Sequence, residues 1–501
     1  MAISTSNFAR FLFFIVINYS YCQNFATQIN NIAINNDMMG GAVVVFCENQ
    51  IINAYYFGKS DFQRNIALNE NTKFRIASIS KTITAIAIMQ LVQQNLLDIN
   101  QDVSQILGYP VKNPNFPQAN ITTKMLLSHQ SSIIDGPTYS SFLNATNSQN
   151  PIPNLSQILT PAGSFYHVNQ FNSAMPGTYF NYSNINYVIL GTIVEKVSNQ
   201  RFDVFCKENI FQPLLIDASF NVNDLQNIDQ LAVLYRKTNN NWVPQVDNYL
   251  GIQPVFTNLS GYLPGTNGGR FAPQGGLRIS AQDLAKLVMV LQNPLNFQPS
   301  ILNYNTANLM KSQNWLYNGN NGNNYFGLFL KWGLGLHLTN NSPSQDVVLP
   351  GSQSMFGHTG EAYGLVSDAY FDPIRKVGLV FITNGVGVGY QTNSQSSFYT
   401  VEREIFDVIE NHTNVNSCLN LVVEDFNHTP YFKIYPNPVN DKINIYIENF
   451  EEYFQAIIIG ADGKTVLTKY IRDNYTTIDV STLSKGFYLV KINQSVQTFI
   501  K

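Results

Sequence analysis

Ser78-Ile79-Ser80-Lys81 stands at the start of a long apolar run that extends from Ile79 to Val92. It is the one place in the chain where a lysine follows a serine by three positions. On an α-helix two such residues share a face about one turn apart, and the helix N-terminus adds partial positive charge beside them. A partly desolvated lysine can take the proton of a serine hydroxyl and so make it a nucleophile. The stretch indicates a serine acyl-transfer enzyme, although a surface lysine after a capping serine gives the same four letters.

The composition limits the partners of this chain. Its 501 residues carry a net charge of −3, and only 12% of them are charged. Nucleic acid or an anionic membrane requires a basic surface, so we expect no nucleic-acid partner. The length allows about three domains at most and a substantial buried core.

The N-terminus has the features of an export signal. Arg10 precedes the apolar segment Phe11 to Ile17, and the chain then becomes polar, with small residues at Ser20 and Cys22. This order predicts a secretory signal peptide over residues 1–22. A membrane anchor is one alternative, but the apolar stretch is about half as long as a spanning helix. A lipoprotein modified at Cys22 is another.

Removal of this segment leaves Cys47, Cys206 and Cys418. Three scattered cysteines indicate neither a disulfide framework nor a metal site, so we expect no metal. Cys47 follows the strand-like run Ala42 to Phe46, which predicts its burial as a small hydrophobic side chain.

The apolar pattern predicts the order of the secondary-structure elements. Two β-rich runs, Gly41 to Phe46 and Gln50 to Phe57, are separated by a polar turn and predict a hairpin. The segment from Ser78 to Asn95 is apolar nearly all round, which predicts a helix inside the fold. Further helices are predicted at Thr122–Ser128, Ile185–Val197, Phe202–Asn209, Ser280–Gln292 and Ser397–Ile409, and β character returns at Tyr325–Leu338, Gly364–Phe371 and Val377–Thr383.

These elements predict an α+β fold followed by a small all-β unit. Strands at both ends of residues 23–410, with helices between them, predict one domain whose terminal strands share an antiparallel sheet. The pattern becomes polar at residues 411–430, where we expect a linker. Short strands then fill residues 431–501, and Asp462-Gly463 between two apolar runs is a hairpin signal. We expect this last segment to form a separate β-sandwich.

Two further groups of residues suit an acyl-transfer site. Tyr182 and Asn184 follow Pro176-Gly177 and precede a predicted helix, which indicates a loop. An ammonium beside the Tyr182 phenol favours the phenolate, and an asparagine amide can bind a substrate carbonyl. His358-Thr359-Gly360 precedes Glu361 and a strand-like run; histidine and threonine suit an anionic group, and glycine lets the backbone approach a ligand. Each group alone is also typical of an ordinary loop or turn.

In this order the three groups resemble the penicillin-recognising serine hydrolases, which are the class C serine β-lactamases, the DD-peptidases and related esterases. The resemblance covers about Asn30 to Glu410 and implies a helical subdomain beside the antiparallel sheet. The segments that carry it are Phe74-Arg75-Ile76-Ala77-Ser78-Ile79-Ser80-Lys81 (nucleophile segment), Ile121 to His129 (the helix before an "HTSG" loop), Phe180 to Tyr187 ("Y-x-N" region) and Gly275 to Ser280 ("GGL" helix entry).

The resemblance implies a role for each matched residue. Ser78 would attack the acyl carbonyl and become acylated, while Lys81 and Tyr182 share the proton transfers. The backbone N–H groups of Ser78 and Glu361 would form the oxyanion hole. The implied substrate-binding residues are Asn184, His358, Thr359, Gly360 and Glu361.

The chain also departs from the family pattern. Gln130-Ser131-Ser132 replaces the usual Thr-Ser-Gly after His129, which we expect to fix its loop rather than to act in catalysis. His358 stands where many class C β-lactamases have lysine and is similar to certain DD-carboxypeptidases and esterases. Glu361 is bulky and anionic, and it would repel a substrate carboxylate. That property argues against a peptidase specific for a free C-terminus.

The tail has a resemblance of its own. Tyr435-Pro436-Asn437-Pro438-Val439 and the later segment Leu483 to Ile492 resemble the C-terminal sorting domain of the type IX secretion system of Bacteroidetes. The resemblance implies the outer-membrane secretion machinery as a partner. An accessory carbohydrate-binding sandwich is the alternative, because small β-sandwiches share this pattern of strands and turns.

The expected function is that of a secreted or cell-surface serine hydrolase, exported through the periplasm, that needs no cofactor. It would cleave a small-molecule or peptide amide or ester (a D-amino-acid peptide, a β-lactam or a carboxylic ester) through a Ser78 acyl-enzyme. The alternative is a penicillin- or muropeptide-binding protein of the same fold that turns over slowly. The complete set of Ser78, Lys81 and Tyr182 argues against the alternative, because a degenerate relative is free to lose any of them.

Overall fold

The computed structural model describes residues 25–413, apart from 255–258, 260 and 298, and residues 432–501, apart from 448–453, 461–463, 472 and 493–494. These two ranges belong to two separate compact units. The predicted signal peptide and most of the predicted linker lie outside the described residues, so both stay predictions.

The first unit is built on a long antiparallel sheet. In chain order its strands are β1 (Gly40–Cys47), β2 (Gln50–Asp61), β3 (Ile66–Ala67), β4 (Lys73–Arg75), β5 (Leu234–Thr238), β6 (Asn241–Val246), β7 (Arg278–Ser280), β8 (Trp315–Leu316), β9 (Lys331–Trp332), β10 (His337–Leu338), β11 (Phe356–Ala362), β12 (Leu365–Phe371), β13 (Val377–Thr383), β14 (Thr392–Asn393) and β15 (Ser396–Tyr399). Nine of them form one sheet in the order β3-β2-β1-β13-β12-β11-β10-β9-β8.

The pairing of β1 with β13 joins the two ends of this unit. The two strands run antiparallel from Gly41 opposite Thr383 to Cys47 opposite Val377. Every residue of β1, β12 and β13 is buried, as expected for strands covered on both faces. The predicted hairpin of β1 and β2 and the predicted sharing of one sheet by the terminal strands are confirmed.

Helices surround the sheet and form a separate layer beside it. They are α1 (residues 25–35), α2 (Ser80–Gln93), α3 (Val103–Leu107), α4 (Thr123–Leu127), α5 (Tyr139–Ser148), α6 (Ser156–Leu159), α7 (Ile185–Ser198), α8 (Phe202–Cys206), α9 (Ala281–Gln292), α10 (Tyr304–Lys311) and α11 (Thr400–His412). Helix α9 packs on β1, β12 and β13, and α2 packs against α7. Residues Ser80 to Leu91 of α2 are all buried, so the prediction of a helix inside the fold is confirmed.

Four predicted elements differ from the structure. The helix predicted from Ser397 begins only at Thr400, because Ser396–Tyr399 forms strand β15. The helix expected from Ser78 begins as a 3-10 turn, Ala77–Ile79, and becomes α-helical only at Ser80. The helix at Phe202 continues as a π-helical turn, Lys207–Phe211. The β run expected from Tyr325 is mostly irregular, because Tyr325 and Phe326 have φ values of 51° and 60°, a left-handed backbone that no β-strand contains.

The sequence predicted no disulfide framework and gave Cys47 only the role of a small buried side chain, and that role is incomplete. Cys47 is buried as expected, but it is disulfide-bonded. Cys206 is a free, buried cysteine, so the partner of Cys47 lies outside the described residues. The sequence could not indicate this bond, since scattered cysteines carry no signal of their pairing.

The second unit contains two antiparallel sheets. Its strands are β16 (Phe432–Tyr435), β17 (Lys442–Ile447), β18 (Phe454–Gly460), β19 (Thr465–Ile471), β20 (Tyr475–Asp479), β21 (Phe487–Ile492) and β22 (Ser495–Ile500). The orders are β16-β17-β20 and β19-β18-β21-β22, and apolar side chains of both sheets form one core. Strands β18 and β19 pair as the predicted hairpin, although Asp462 and Gly463 lie outside the described residues. The predicted small all-β fold is confirmed.

Within the described part of the chain, no helix combines the length and the apolar character that a membrane crossing demands.

We predict that the first unit folds without the tail, because each unit has its own hydrophobic core. A chain that ends at Thr429 keeps all four cysteines and should unfold at the same temperature as the full chain. A chain that ends at Glu410 should melt lower, since it lacks His412, whose ring packs 5.3 Å from that of Phe25. The three tryptophans all lie in the first unit, so their fluorescence reports its unfolding alone.

A lower melting temperature for the Thr429 chain, equal to that of the Glu410 chain, would contradict the independence of the first unit.

Candidate active site

Ser78 lies in the 3-10 turn between β4 and α2. Ala77, which precedes it, has a φ of 47°, a left-handed conformation that costs an alanine about 1–2 kcal/mol. Neighbouring strands hold this turn: Ser367 Oγ donates to Ile76 O at 3.2 Å, and Leu277 N donates to Ser80 Oγ at 3.1 Å. The turn therefore presents the Ser78 hydroxyl in a strained backbone that its surroundings maintain.

Lys81 points back from the first turn of α2 to Ser78. Its Nζ lies 3.0 Å from Ser78 Oγ, 2.8 Å from Asn184 Oδ1 and 2.8 Å from the carbonyl oxygen of Gln274. The side chain is fully buried. Burial lowers the pKa of the Lys81 amine from its ordinary 10.5 to about 7, although the charge of Asp135 acts in the opposite direction. A large part of this amine is unprotonated near neutral pH.

Tyr182 covers the amine from the loop before α7. The Nζ of Lys81 lies 5.0 Å from the centre of the Tyr182 ring, and the Tyr182 and Ser78 hydroxyls are hydrogen-bonded. Burial raises the pKa of the Tyr182 phenol far above its ordinary value, and the bond to Ser78 offsets only part of this effect. The expected phenolate is thus disfavoured, because burial outweighs the neighbouring amine. Tyr182 is a neutral donor, and Lys81 is the group better able to accept a proton.

Asn184 connects Lys81 to a residue that the sequence patterns did not reveal. Asp135 Oδ2 accepts hydrogen bonds from the Asn184 backbone N at 3.0 Å and from its Nδ2 at 2.8 Å. Asp135 Oδ1 accepts one from Ile185 N at 2.8 Å. A single aspartate in a loop carries no local signal, and only the fold brings it to the start of α7, 49 positions from Asn184 in the chain.

His129 fixes the loop that carries Tyr182. Its Nδ1 accepts a hydrogen bond from Ser183 N at 3.2 Å, and its ring centre lies 4.4 Å from that of Tyr182. Burial lowers the pKa of His129 well below its ordinary value, so the ring is neutral. Ser131, in the segment that departs from the family pattern, donates to Asn186 Oδ1 at 2.8 Å. These contacts agree with the expected structural role of His129.

Strand β11 contains four of the predicted substrate-binding residues, and these differ in their position relative to the cleft: His358, Thr359, Gly360 and Glu361. The His358 side chain is buried with its ring 5.9 Å from that of Tyr182, and burial lowers its pKa to about 3. A neutral ring that does not line the cleft has no charge to offer an anion, so the expected anion contact of His358 is not supported. Thr359 Oγ1 donates to Glu402 Oε1 at 3.2 Å.

Gly360 and Glu361 lie against the Ser78 turn. A Cβ on Gly360 would come within 2.7 Å of Ile76 O and 3.2 Å of Ser78 N, so only glycine allows this approach. Ala362 and Leu365 are the hydrogen-bonded pair that closes a two-residue turn. Hydrogen-bonded and non-hydrogen-bonded pairs alternate along an antiparallel ladder, so Glu361, one position earlier, does not exchange hydrogen bonds with β12. The Glu361 N–H therefore points away from β12, on the side of the Ser78 turn, as an oxyanion hole requires.

A cleft of about 960 Å³ opens in front of Ser78. Its wall is largely aromatic and apolar, with contributions from Tyr139, Leu143, Tyr325, Phe326, Phe329, Tyr363, Phe398 and Tyr399. Arg75 and Glu361 also line it, and neither has an ion pair among the described residues. The Tyr399 hydroxyl donates to Glu361 Oε2, which holds that carboxylate at the rim. The described residues contain no cluster of histidine, cysteine and carboxylate side chains able to hold a metal.

The family model for β-lactamases matches residues 25–395. This is most of the chain, and the protein belongs to the β-lactamase family. A second model, for the secretion system C-terminal sorting domain, matches residues 433–501. Both predicted resemblances are confirmed. Members of the β-lactamase family are in general hydrolases, and the second match is to a domain that sorts proteins for secretion.

Individual relatives match less of the chain. Protein flp of Staphylococcus aureus (strain MRSA252) is 27% identical over 186 residues, which are 37% of this chain and 35% of that protein. The chain thus spans about a third of the length of the Staphylococcus relatives it matches. An N-acetylmuramyl-L-alanine amidase of Bacillus subtilis is 25% identical over 388 residues, 69% of this chain and 77% of that protein.

The structure of an octameric penicillin-binding protein homologue from Pyrococcus abyssi has the same fold. Its TM-score is 0.58 at 20% identity, and the match covers 96% of this chain and 99% of that one.

We predict that Lys81→Met stabilises the first unit at pH 6 more than at pH 9. Lys81 binds a proton more readily in the unfolded chain than in the folded protein, so it lowers stability at pH values below 10.5, and most below pH 7. The gain should therefore be larger by about 2–3 kcal/mol at pH 6 than at pH 9. Urea unfolding at both pH values, followed by tryptophan fluorescence, measures it.

Lys124→Met, at an exposed lysine of α4, is the matched control and should show no such difference. An equal gain for Lys81→Met at the two pH values would mean that Lys81 does not titrate near 7.

Proposed function

We propose that this protein is a secreted serine hydrolase that cleaves an amide or an ester through a Ser78 acyl-enzyme. The observation that carries the proposal is the Lys81 amine, which lies 3.0 Å from Ser78 Oγ and has a pKa of about 7. A base with this pKa is unprotonated often enough to accept the serine proton at neutral pH.

In the proposed acylation, Ser78 Oγ attacks the acyl carbonyl as its proton passes to Lys81. The carbonyl oxygen becomes an oxyanion held by the N–H groups of Ser78 and Glu361. The leaving group then takes a proton from the Lys81 ammonium, with the neutral Tyr182 hydroxyl as the relay. Water then attacks the acyl carbonyl as its proton passes to Lys81, and the Oγ–acyl bond breaks as Ser78 takes that proton back, which releases the acid.

The cleft favours an uncharged or apolar group next to the scissile bond. One part of its wall is aromatic, and such surfaces bind apolar groups well. Glu361 disfavours a substrate carboxylate close to the oxyanion site, which argues against a peptidase that requires a free C-terminus. Carboxylic esters and internal or capped amides therefore fit the proposal better than free C-terminal peptides do.

We further propose the route of export. The predicted signal peptide over residues 1–22 directs the chain to the periplasm, and the tail then directs it across the outer membrane. The sorting-domain match over residues 433–501 supports the second step.

The test of the hydrolase is covalent labelling. We predict that the intact protein gains the mass of an acyl group from a p-nitrophenyl ester or a β-lactam, and that Ser78→Ala gains none. Ser78→Ala should keep its melting temperature, because the Ser78 side chain caps neither the 3-10 turn nor α2. Lys81→Arg should lose most of the activity, since a guanidinium stays protonated and cannot act as a base.

The matched control is Ser141→Ala, which removes an exposed hydroxyl of α5 that does not line the cleft. Labelling that persists in Ser78→Ala would refute the assignment of the nucleophile. An acyl group that stays attached for hours would instead support the slowly turning-over binding protein.

We predict that removal of residues 430–501 in the native host leaves active enzyme in the periplasm. The tail should contribute nothing to catalysis, so kcat/KM on a small ester is unchanged. Fractionation of the culture with an activity assay on each fraction measures both outcomes. Export of the shortened enzyme into the medium, together with weaker binding of a polymeric substrate, would replace the sorting role by that of an accessory binding module.

A further inference from the structure

Asp135 accepts hydrogen bonds from two N–H groups of Asn184, the backbone N–H and the side-chain amide N–H. One carboxylate oxygen accepts the backbone N–H and the side-chain Nδ2–H of Asn184, at 3.0 and 2.8 Å, while the other accepts Ile185 N at 2.8 Å. The amide nitrogen is thereby bound on the side away from the active site. The amide oxygen is left facing Lys81 Nζ, at 2.8 Å.

This orientation determines how the Lys81 amine is held. If the Asn184 amide were turned over, its NH2 group would face the amine, and two donors would meet whenever Lys81 is protonated. A carboxylate can only accept hydrogen bonds, so Asp135 binds the NH2 end and excludes the turned amide. An uncharged residue that both donates and accepts would not make this distinction.

The other groups that face the amine carry no charge. The rings of Tyr182 and Tyr187 lie 5.0 and 5.7 Å from Nζ, and burial raises the pKa of both phenols. Burial also keeps His129 and His358 neutral by lowering their pKa values. Asp135 is the carboxylate whose charge acts on Lys81, and it does so across the Asn184 amide rather than by contact.

We propose that Asp135 is a positioning residue of the acyl-transfer site, which turns the Asn184 amide oxygen towards Lys81 and stabilises the ammonium form of that amine from one side chain away. The proposal rests on the proposed role of Lys81 as the base. A carboxylate in direct contact would keep the amine protonated, and no carboxylate at all would leave the buried ammonium without compensation. Because the Asn184 amide lies between them, Asp135 favours the ammonium form of Lys81 less strongly than a carboxylate in direct contact would.

The sign of the effect follows from the charge. Because Asp135 favours the ammonium form, its removal lowers the pKa of Lys81. The acid limb of the pH profile of kcat/KM, which reports the unprotonated base in the free enzyme, should then move to lower pH. The maximal rate should fall, since Asn184 is free to turn.

The test is an NMR titration of the full chain labelled with 13Cε-lysine, in which the Lys81 signal is assigned by its absence from Lys81→Arg. Two variants remove the charge: Asp135→Asn, and Asp135→Ser, which keeps a hydroxyl acceptor for the start of α7. In both, the Lys81 pKa should fall by about 0.5–1 unit. The acid limb measured on a p-nitrophenyl ester should move by the same amount.

The matched control is Asp102→Asn. Asp102 caps α3 by accepting a hydrogen bond from Ser104 N at 3.0 Å and pairs with Lys112 at 2.7 Å, so asparagine there keeps a cap and removes a carboxylate charge outside the active site. This control should lower the melting temperature without moving the Lys81 titration. An unchanged Lys81 pKa in Asp135→Ser would reduce Asp135 to a helix cap and overturn the proposal.

The titration needs no substrate, so the two proposals can fail separately. A shifted Lys81 pKa in a protein that neither turns over nor is labelled at Ser78 would refute the proposed function alone.

Discussion

The burial of the Lys81 amine is the constraint on which the site depends. A change of its pKa from 10.5 to about 7 corresponds to about 5 kcal/mol of lost stabilisation of the ammonium form. Helices α2 and α7 provide this desolvation by packing around the side chain. The three acceptors of Nζ, on Ser78, Asn184 and Gln274, are uncharged, so they fix the position of the amine without holding it in the charged form. The position of the Lys81 amine is thus set by its three acceptors, and its proton affinity is set by the packing that buries it.

The position of Ser78 has a separate origin, in the sheet. Ala77 adopts a left-handed backbone, which the turn tolerates because β11 and β12 pack against it and Ser367 bonds to Ile76. The lack of a side chain at Gly360 allows β11 to come this close. The Lys81 amine is placed by a helix and the Ser78 hydroxyl by a turn tied to the sheet. The site lies where these two layers meet, so a change that alters the packing of either layer also changes the distance between Oγ and Nζ.

Local pattern predicted those parts of the site that depend on short spacing. Ser78 and Lys81 are three positions apart, and a helical turn brings them together in any context that keeps the helix. Tyr182 and Asn184 were found by resemblance, and the structure brings both within reach of Lys81. Burial has effects that the spacing of residues in the sequence does not predict. The pKa of Tyr182 rises where the neighbouring amine alone would lower it. The His358 ring lies against Tyr182 instead of in the cleft.

The residues that escaped sequence analysis act through contacts between distant segments. Asp135 meets Asn184 only because the loop after α4 folds over the start of α7, and neither the bond of Cys47 nor the left-handed backbone at Tyr325 and Phe326 has a local pattern. The wall of the cleft is likewise formed by segments that are distant in the sequence. Residues 135–171 supply Tyr139 and Leu143, whereas none of the lining residues comes from the described part of residues 222–269.

Glu361 is the position where the proposed oxyanion hole and the wall of the cleft meet. Its backbone N–H faces the Ser78 turn, while its carboxylate, held by the Tyr399 hydroxyl, belongs to the wall of the cleft. A change of side chain at this position alters the charge next to the scissile bond and leaves the N–H in place, because the N–H is oriented by the register of β11 with β12. Under the proposed function, substrate choice can therefore vary while the chemistry stays constant, so Ser78, Lys81 and Tyr182 support a reaction class without naming the acyl group.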